Sequence, residues 1–378
     1  MKLVIGVVRE SALGESRVAI APDVVQKLNK LGVQVVMQQG AGASAFLPDE
    51  KYKQDNVTLV ENAADVYAKA NLFIRVQTPS LEEIAQMPEG SYLLGALTPH
   101  KHLAEIKALA DKKITCWATE YIPRISRAQS MDTLSSQAAV AGYVGVVKAA
   151  GLSAKFFPML TTAAGTVRPA KVLVLGAGVA GLQAIATAKR LGAVVEAYDI
   201  RPETKEQCES LGAKFIDTGV NAAGEGGYAR ELTAEEVAKQ TEIVDQHIAK
   251  ADAVITTAAI PGRPSPKLIS ASAVANMQPG AVIIDLASEG GGNCELTKPG
   301  EIYQHEGVVI CGELNVPAQL AVHASEMFSK NLFNFISPWL KDAELVVDWE
   351  DEIISQSCLV KEGEIVNSRI QTLLGGGA

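Results

Sequence analysis

The chain has 378 residues, a formal charge of −9, 48% hydrophobic and 5% aromatic residues. At roughly 150 residues per domain that length predicts two domains, and an acidic balance without clustered Lys and Arg argues against nucleic acid or an anionic membrane surface as partner. No apolar stretch approaches the about 18 residues that a membrane span needs.

Elements alternate from the start. The run Leu3-Val4-Ile5-Gly6-Val7-Val8 is too short for a signal peptide and reads as a first strand. Further strands are expected at 33–38, 72–76, 92–97 and 114–119, with helices at 22–31, 63–70 and 103–112 between them. Such alternation calls for a parallel sheet covered by helices on both faces. Gly40-Ala41-Gly42-Ala43-Ser44 also follows a strand, but it leads into Phe46-Leu47-Pro48-Asp49 rather than an apolar helix, so it reads as a turn. Residues 133–152 are rich in small residues and predict a helix joining two domains.

Residues 171–199 carry the strongest signal. The strand Val172-Leu173-Val174-Leu175 runs into Gly176-Ala177-Gly178-Val179-Ala180-Gly181, then a helix to Leu191, then a second strand closed by Asp199. This is the Rossmann dinucleotide fingerprint. Gly176 allows the tight turn, Gly178 admits the pyrophosphate, and Gly181 lets helix and strand pack closely. The helix start, with Val179 and Ala180, offers N–H groups and a partial positive charge to phosphate. Asp199, about 20 residues on, accepts from ribose hydroxyls and repels a 2′-phosphate, which favours NAD(H) over NADP(H). Arg201 stands two residues later, where it can reach a 2′-phosphate.

Strands at 171–175, 193–199, 214–216, 253–256, 281–286 and 308–311, with helices at 235–249 and 267–277, predict a six-stranded doubly wound sheet around this turn. Residues 317–336 read as a helix, and 346–349 and 353–360 as strand-like. That tail is too short to bury its own core and is expected to pack back on the first domain. The expected α/β architecture is therefore two doubly wound parallel-sheet, Rossmann-like domains separated by a cleft. One is discontinuous and flavodoxin-like, residues 1–137 plus 320–378; the other, residues 138–319, binds the nucleotide.

The catalytic inventory is thin. Of five histidines, His100 and His102 lie in a polar loop, His247 on a charged helix, His305 in a turn before Gly307 and His323 in the helix at 317–336, none beside a visible partner. His100 and His102 have no third metal ligand at proper spacing and read as solvated. The five scattered cysteines lack CxxC spacing and read as buried or idle thiols. The loop 218–230, with four glycines around Tyr228, is either a connector or a flap over bound cofactor. The densest polar cluster is Pro123-Arg124-Ile125-Ser126-Arg127-Ala128-Gln129-Ser130-Met131-Asp132, with Ser135 and Ser136 behind it. These groups suit fixing a carboxamide and a ribose, or else cap a helix and coat a surface; Asp132 is equally a candidate N-cap.

The last cluster is where the chain resembles a known family, the NAD(H)-binding alpha subunit (domain I) of proton-translocating nicotinamide nucleotide transhydrogenase. The likeness runs over essentially the full length. It implies that Arg124, Gln129 and Asp132, with Ser135 as a further contact, surround the nicotinamide, and that Tyr228 belongs to the family's mobile loop. By the same analogy Thr257, in Ile255-Thr256-Thr257-Ala258-Ala259-Ile260-Pro261-Gly262, and Gly292, in Gly291-Gly292-Asn293-Cys294, line the cofactor cleft. The sister family is alanine dehydrogenase, which shares the fold and the pattern Arg9-Glu10, Glu15-Ser16-Arg17-Val18-Ala19 and Pro22. Its substrate lysine falls in a Lys-Val-Lys-Glu-Pro stretch that here reads Arg75-Val76-Gln77-Thr78-Pro79, and its histidine is missing from Leu94-Gly95-Ala96-Leu97.

The resemblance implies hydride transfer between NADH bound here and NADP⁺ on an NADP(H)-binding beta subunit. It also implies proton translocation by membrane subunits, a homodimer, and a cytoplasmic chain peripheral on the inner face of the membrane. Direct transfer needs no acid or base, in keeping with the thin inventory. Two alternatives are an alanine dehydrogenase-like amino-acid oxidoreductase and a non-catalytic NAD-binding regulatory subunit.

Overall fold

The computed structural model describes residues 2–220, 233–259 and 262–375. The chain divides into two compact units, Met1–Gln137 with Ala318–Ala378, and Ala138–Pro317.

The first unit is built on β1 (Val4–Val7), β2 (Gln34–Gln38), β3 (Val57–Val60), β4 (Leu72–Arg75), β5 (Tyr92–Gly95) and β6 (Thr115–Ala118). They lie side by side in the order β3-β2-β1-β4-β5-β6, all parallel. This is the dinucleotide-type order, with its switch point between β1 and β4, and not the flavodoxin-like order expected. β4 and β6 are buried throughout, as strands covered by helices on both faces must be.

The tail corrects two expectations. Residues 353–360 do not form one strand: Glu352–Ser357 is a helix whose Asp351 accepts from the Ile353 N–H, and the strand begins only at Cys358. Buried Ile353, Ile354 and Ser357 recur at helical rather than alternating spacing. The strand Cys358–Lys361 then closes the free edge of β6 in antiparallel sense and carries Glu364–Ile365 beyond it, so the sheet is mixed rather than wholly parallel.

The second unit contains β7 (Lys171–Leu175), β8 (Val194–Tyr198), β9 (Lys214–Phe215), β10 (Ala253–Thr256), β11 (Val282–Asp285), β12 (Ile302–His305) and β13 (Val308–Cys311). Their order is β9-β8-β7-β10-β11-β13-β12. Among the described residues seven strands of this sheet stand where six were expected, because β12 folds back antiparallel on β13 through a turn at Glu306 and Gly307 (φ 48° and 87°). His305 accordingly ends a strand instead of lying in a turn.

The helix expected at 267–277 shrinks to Ala271–Ala275, capped by Ser270. The backbone before it is otherwise engaged: the Leu268 and Ile269 N–H groups donate to the Asn293 carbonyl. The long helix Thr133–Leu152 forms as expected, and its small residues allow close approach. A Cβ at Gly142 would meet the Ala180 carbonyl oxygen at 2.2 Å.

Candidate functional site

In the second unit, parallel register assembles the glycine turn. Leu175 lies opposite Tyr198 on one side and Thr256 on the other, so the turn after β7 is flanked by Asp199 and Thr257. The Gly176 N–H donates to the Tyr198 carbonyl at 2.8 Å, and the Thr257 hydroxyl donates to the Gly176 carbonyl at 3.0 Å. The three glycines differ in what fixes them. Gly176 has φ 96°, a conformation that favours glycine. A Cβ at Gly181 would sit 1.8 Å from the Gly176 carbonyl oxygen, so helix Val179–Arg190 packs here only without a side chain. Over Gly178, by contrast, a Cβ meets nothing within 4 Å. Gly178 and Val179 are exposed here, at a helix start whose first N–H groups have no partner within the helix.

Asp199 closes the turn. Its Oδ2 accepts from the Ala177 N–H at 2.6 Å, and its Oδ1 accepts from the Arg201 N–H at 2.9 Å. The Arg201 guanidinium adds Nε to Oδ1 at 3.0 Å and Nη2 to Oδ2 at 3.1 Å. Asp199 therefore shapes the turn from its rim, with both carboxylate oxygens engaged.

Beyond β10, buried Asn293 pairs with Ala258 as a strand would, accepting from its N–H at 3.0 Å and donating to its carbonyl at 2.8 Å. Asp285 is equally buried and accepts from the hydroxyls of Thr256 and Thr297 and from the N–H groups of Cys294 and Ala287. Gly292 (φ 80°) has its place set by packing, since a Cβ there would meet Asp285 Oδ2 at 2.5 Å; Gly291 faces open space. Tyr228, Ile260 and Pro261 lie outside the described residues.

In the first unit the polar cluster follows β6 as a 3-10 turn, Ser126–Met131. Ala128 and Met131 are buried in the core, while Arg124 and Gln129 are exposed. The turn is pinned at three points. Arg127 forms a two-pronged ion pair with Asp351 at 2.6 and 2.9 Å. Asn331 and Asn334, on the helix Ala321–Ile336, donate to the Ser130 carbonyl at 2.8 and 3.0 Å. Asp132 caps helix Thr133–Leu152, accepting from the Ser135 N–H at 2.8 Å and its hydroxyl at 2.6 Å.

The same unit holds a buried polar network that the sequence did not announce. Glu15 accepts from Arg17 through backbone N–H, Nε and Nη2, and from the Gln77 amide at 2.8 Å. Arg17 passes on to Gln137 Oε1 at 2.8 Å, and Gln137 donates to the Ala324 carbonyl at 3.1 Å. Burial raises the Glu15 carboxyl, but the hydrogen bonds and charge of Arg17, with Gln77, more than offset it and hold it below the usual carboxylate range. Nearby, Arg75 is fully buried between Glu83 at 2.8 Å and Glu10 at 3.3 Å. Gln77, in the stretch compared with the sister family's, thus serves Glu15, and the Arg17 charge is already matched.

Candidate bases are few. His247 pairs with Glu196 at 2.7 Å, tying helix Ala234–Ile248 to β8. Burial, then Lys101 and His102, lowers the His100 imidazole. All five cysteines are buried and unpaired, with burial pushing Cys208 up to about 11.

Two family models divide the chain: the alanine dehydrogenase/PNT N-terminal domain matches residues 6–141 and the C-terminal domain residues 145–368. The chain belongs to the alanine dehydrogenase/PNT family. Within this oxidoreductase family it is 49% identical to an NAD(P) transhydrogenase subunit alpha protein of Rhodospirillum rubrum, over 99% of this chain and 100% of that one. The crystal structure of transhydrogenase from Sinorhizobium meliloti superposes with a TM-score of 0.85 at 41% identity, covering 97% of this chain and 99% of that chain. An L-alanine dehydrogenase structure matches with a TM-score of 0.83 at 24% identity over 100% of both chains, which shows the shared fold. Membership in the alanine dehydrogenase/PNT family implies nicotinamide nucleotide binding, and the transhydrogenase relatives support a role in NAD(P) transhydrogenation alongside partner subunits. No helix among the described residues is long and apolar enough to cross a membrane.

Proposed function

We propose that this chain is the NAD(H)-binding component of a proton-translocating transhydrogenase. The observation that carries the proposal is the glycine turn, with open space over Gly178 and Asp199 at its rim. The pyrophosphate lies over the N–H groups that follow Gly178, and the adenosine ribose donates to Asp199. Arg124 and Gln129, exposed on a pinned turn, orient the nicotinamide together with Asp132 and Ser135, while Thr257 and Gly292 support the loops around the turn. The dihydronicotinamide supplies a hydride that passes directly to NADP⁺ held by a partner subunit, which requires the two reacting carbons about 3–3.5 Å apart. These residues hold and orient; none has to move a proton. Membrane subunits then couple transfer to proton translocation, and through them the chain sits on the inner face of the membrane.

A homodimer completes the proposal. Among the described residues the hairpin Leu160–Thr162 and Gly165–Val167 pairs only with itself, and Met159 beside it and Val167 within it are exposed. An isolated two-stranded hairpin is marginal in water, and a second copy gives it something to pack against.

Purified chain mixed with the NADP(H)-binding component of a transhydrogenase should reduce an NAD⁺ analogue at the expense of NADPH. Absence of turnover with a competent partner would favour a regulatory NAD-binding subunit instead. Steady NADH consumption with pyruvate and ammonia would favour an amino-acid dehydrogenase.

A further inference from the structure

We propose that Arg201 sets how sharply this chain separates NAD(H) from NADP(H), because it fills the acceptor positions on Asp199 that a ribose needs. The proposal rests on the NAD(H)-binding function above and adds a specificity-determining residue to it. A carboxylate has about four acceptor sites, and on Asp199 four donors occupy them: the N–H groups of Ala177 and Arg201, and Nε and Nη2 of the Arg201 guanidinium. An adenosine ribose brings two hydroxyl donors and can be served only if two existing donors leave. The backbone N–H groups are built into the turn and the strand end. The guanidinium is free to move, since the Arg201 side chain is 41% exposed against 7% for Asp199.

Two consequences follow for a 2′-phosphate. With Arg201 in place the Asp199 charge is matched, so the rim repels a phosphate far less than a bare carboxylate does. Once displaced, the guanidinium lies beside the 2′ position, where its planar fork suits phosphate oxygens. Arg201 therefore works against the discrimination that Asp199 provides, and the difference between the two nucleotides is set by the pair.

The test is competition of NAD⁺ and of NADP⁺ against NADH fluorescence on the full chain, in the unsubstituted protein, Arg201→Ala, Arg201→Lys, Asp199→Asn and the Asp199→Asn, Arg201→Ala double variant. Arg201→Ala should raise the ratio of the NADP⁺ to the NAD⁺ dissociation constant by about tenfold. Arg201→Lys, which keeps the charge but not the fork, should fall between. In the Asp199→Asn background the effect of Arg201→Ala on the ratio should shrink, because the carboxylate it unmasks is gone. A ratio unchanged or lowered in Arg201→Ala overturns the proposal. Failure of the unsubstituted chain to bind NADH overturns the proposed function itself, a result separate from any change in the ratio.

Discussion

Arg17 Nη1 lies 2.8 Å from Gln137 Oε1, joining the loop after β1 to the first turns of the helix that Asp132 caps. Both partners are buried, and Glu15 fixes the other face of the guanidinium. The bond sets the rotation of the helix start about its own axis, and so the direction in which Asp132 and Ser135 point. Gln137→Leu removes the Gln137 acceptor from the buried Arg17 guanidinium, and losing such a bond to a charged donor costs roughly 1–3 kcal/mol. Urea unfolding should register that loss. Hydride transfer in single turnovers should slow more than NADH binding weakens; equal changes in rate and affinity would mean that the contact only stabilises the fold.

Two of the fingerprint glycines predict two different failures. Gly181→Ala places a methyl 1.8 Å from the Gly176 carbonyl oxygen and 2.8 Å from its carbon, a backbone contact that cannot yield as a flexible side chain would. Overpacking of this kind costs about 1–3 kcal/mol or more, so the thermal midpoint should drop along with NADH binding. Gly178→Ala meets no protein atom within 4 Å and should fold like the parent. Its methyl enters the space assigned to the pyrophosphate, and NADH affinity should fall by about tenfold or more. A Gly178→Ala protein with parental affinity would move the phosphate site elsewhere.

Much of the scaffold around that turn was legible. β7, β10 and β13 keep the bounds expected of them, 171–175, 253–256 and 308–311, and the helix Thr133–Leu152 matches its small-residue stretch. β3 escaped because four residues at a sheet edge, half of them only partly buried, carry no clear period. β12 escaped, as did the antiparallel sense of Cys358–Lys361, because alternation of elements predicts neighbours but not the sense of a strand added outside them. The nearness of Asp199 to the turn follows from spacing alone. That Arg201 saturates it, or that Arg17 reaches a residue 120 positions away, depends on side-chain geometry that no local pattern encodes.

Asp132 is both a proposed nicotinamide contact and a cap, and substitutions can separate the roles. Asp132→Asn keeps an oxygen for the Ser135 N–H and should leave stability close to the parent. Asp132→Ala loses the cap and should cost about 1 kcal/mol. Both should slow hydride transfer more than they weaken NADH binding, as should Arg124→Ala, whose side chain is exposed. Unaltered single-turnover rates in Asp132→Asn and Arg124→Ala would remove these residues from the nicotinamide site.

Stability in acid should depend on the Glu15 network. Burial acts to raise both Glu15 and Glu83, yet Arg17 with Gln77, and Arg75 respectively, hold each carboxyl below its ordinary value. A carboxyl lowered by folding binds fewer protons in the folded than in the unfolded state. Its contribution is present above the unfolded value of about 4.3 and is lost as pH falls through the folded value. Glu10 acts in the opposite sense: burial raises it in spite of Arg75, so stability declines as pH rises from about 4.3 through its folded value. The unfolding midpoint in urea should therefore decline as pH falls below about 4.3, and Glu15→Gln should flatten that decline while lowering stability at neutral pH. A decline as steep in Glu15→Gln as in the parent would place the acid sensitivity in Glu83 and the remaining carboxylates.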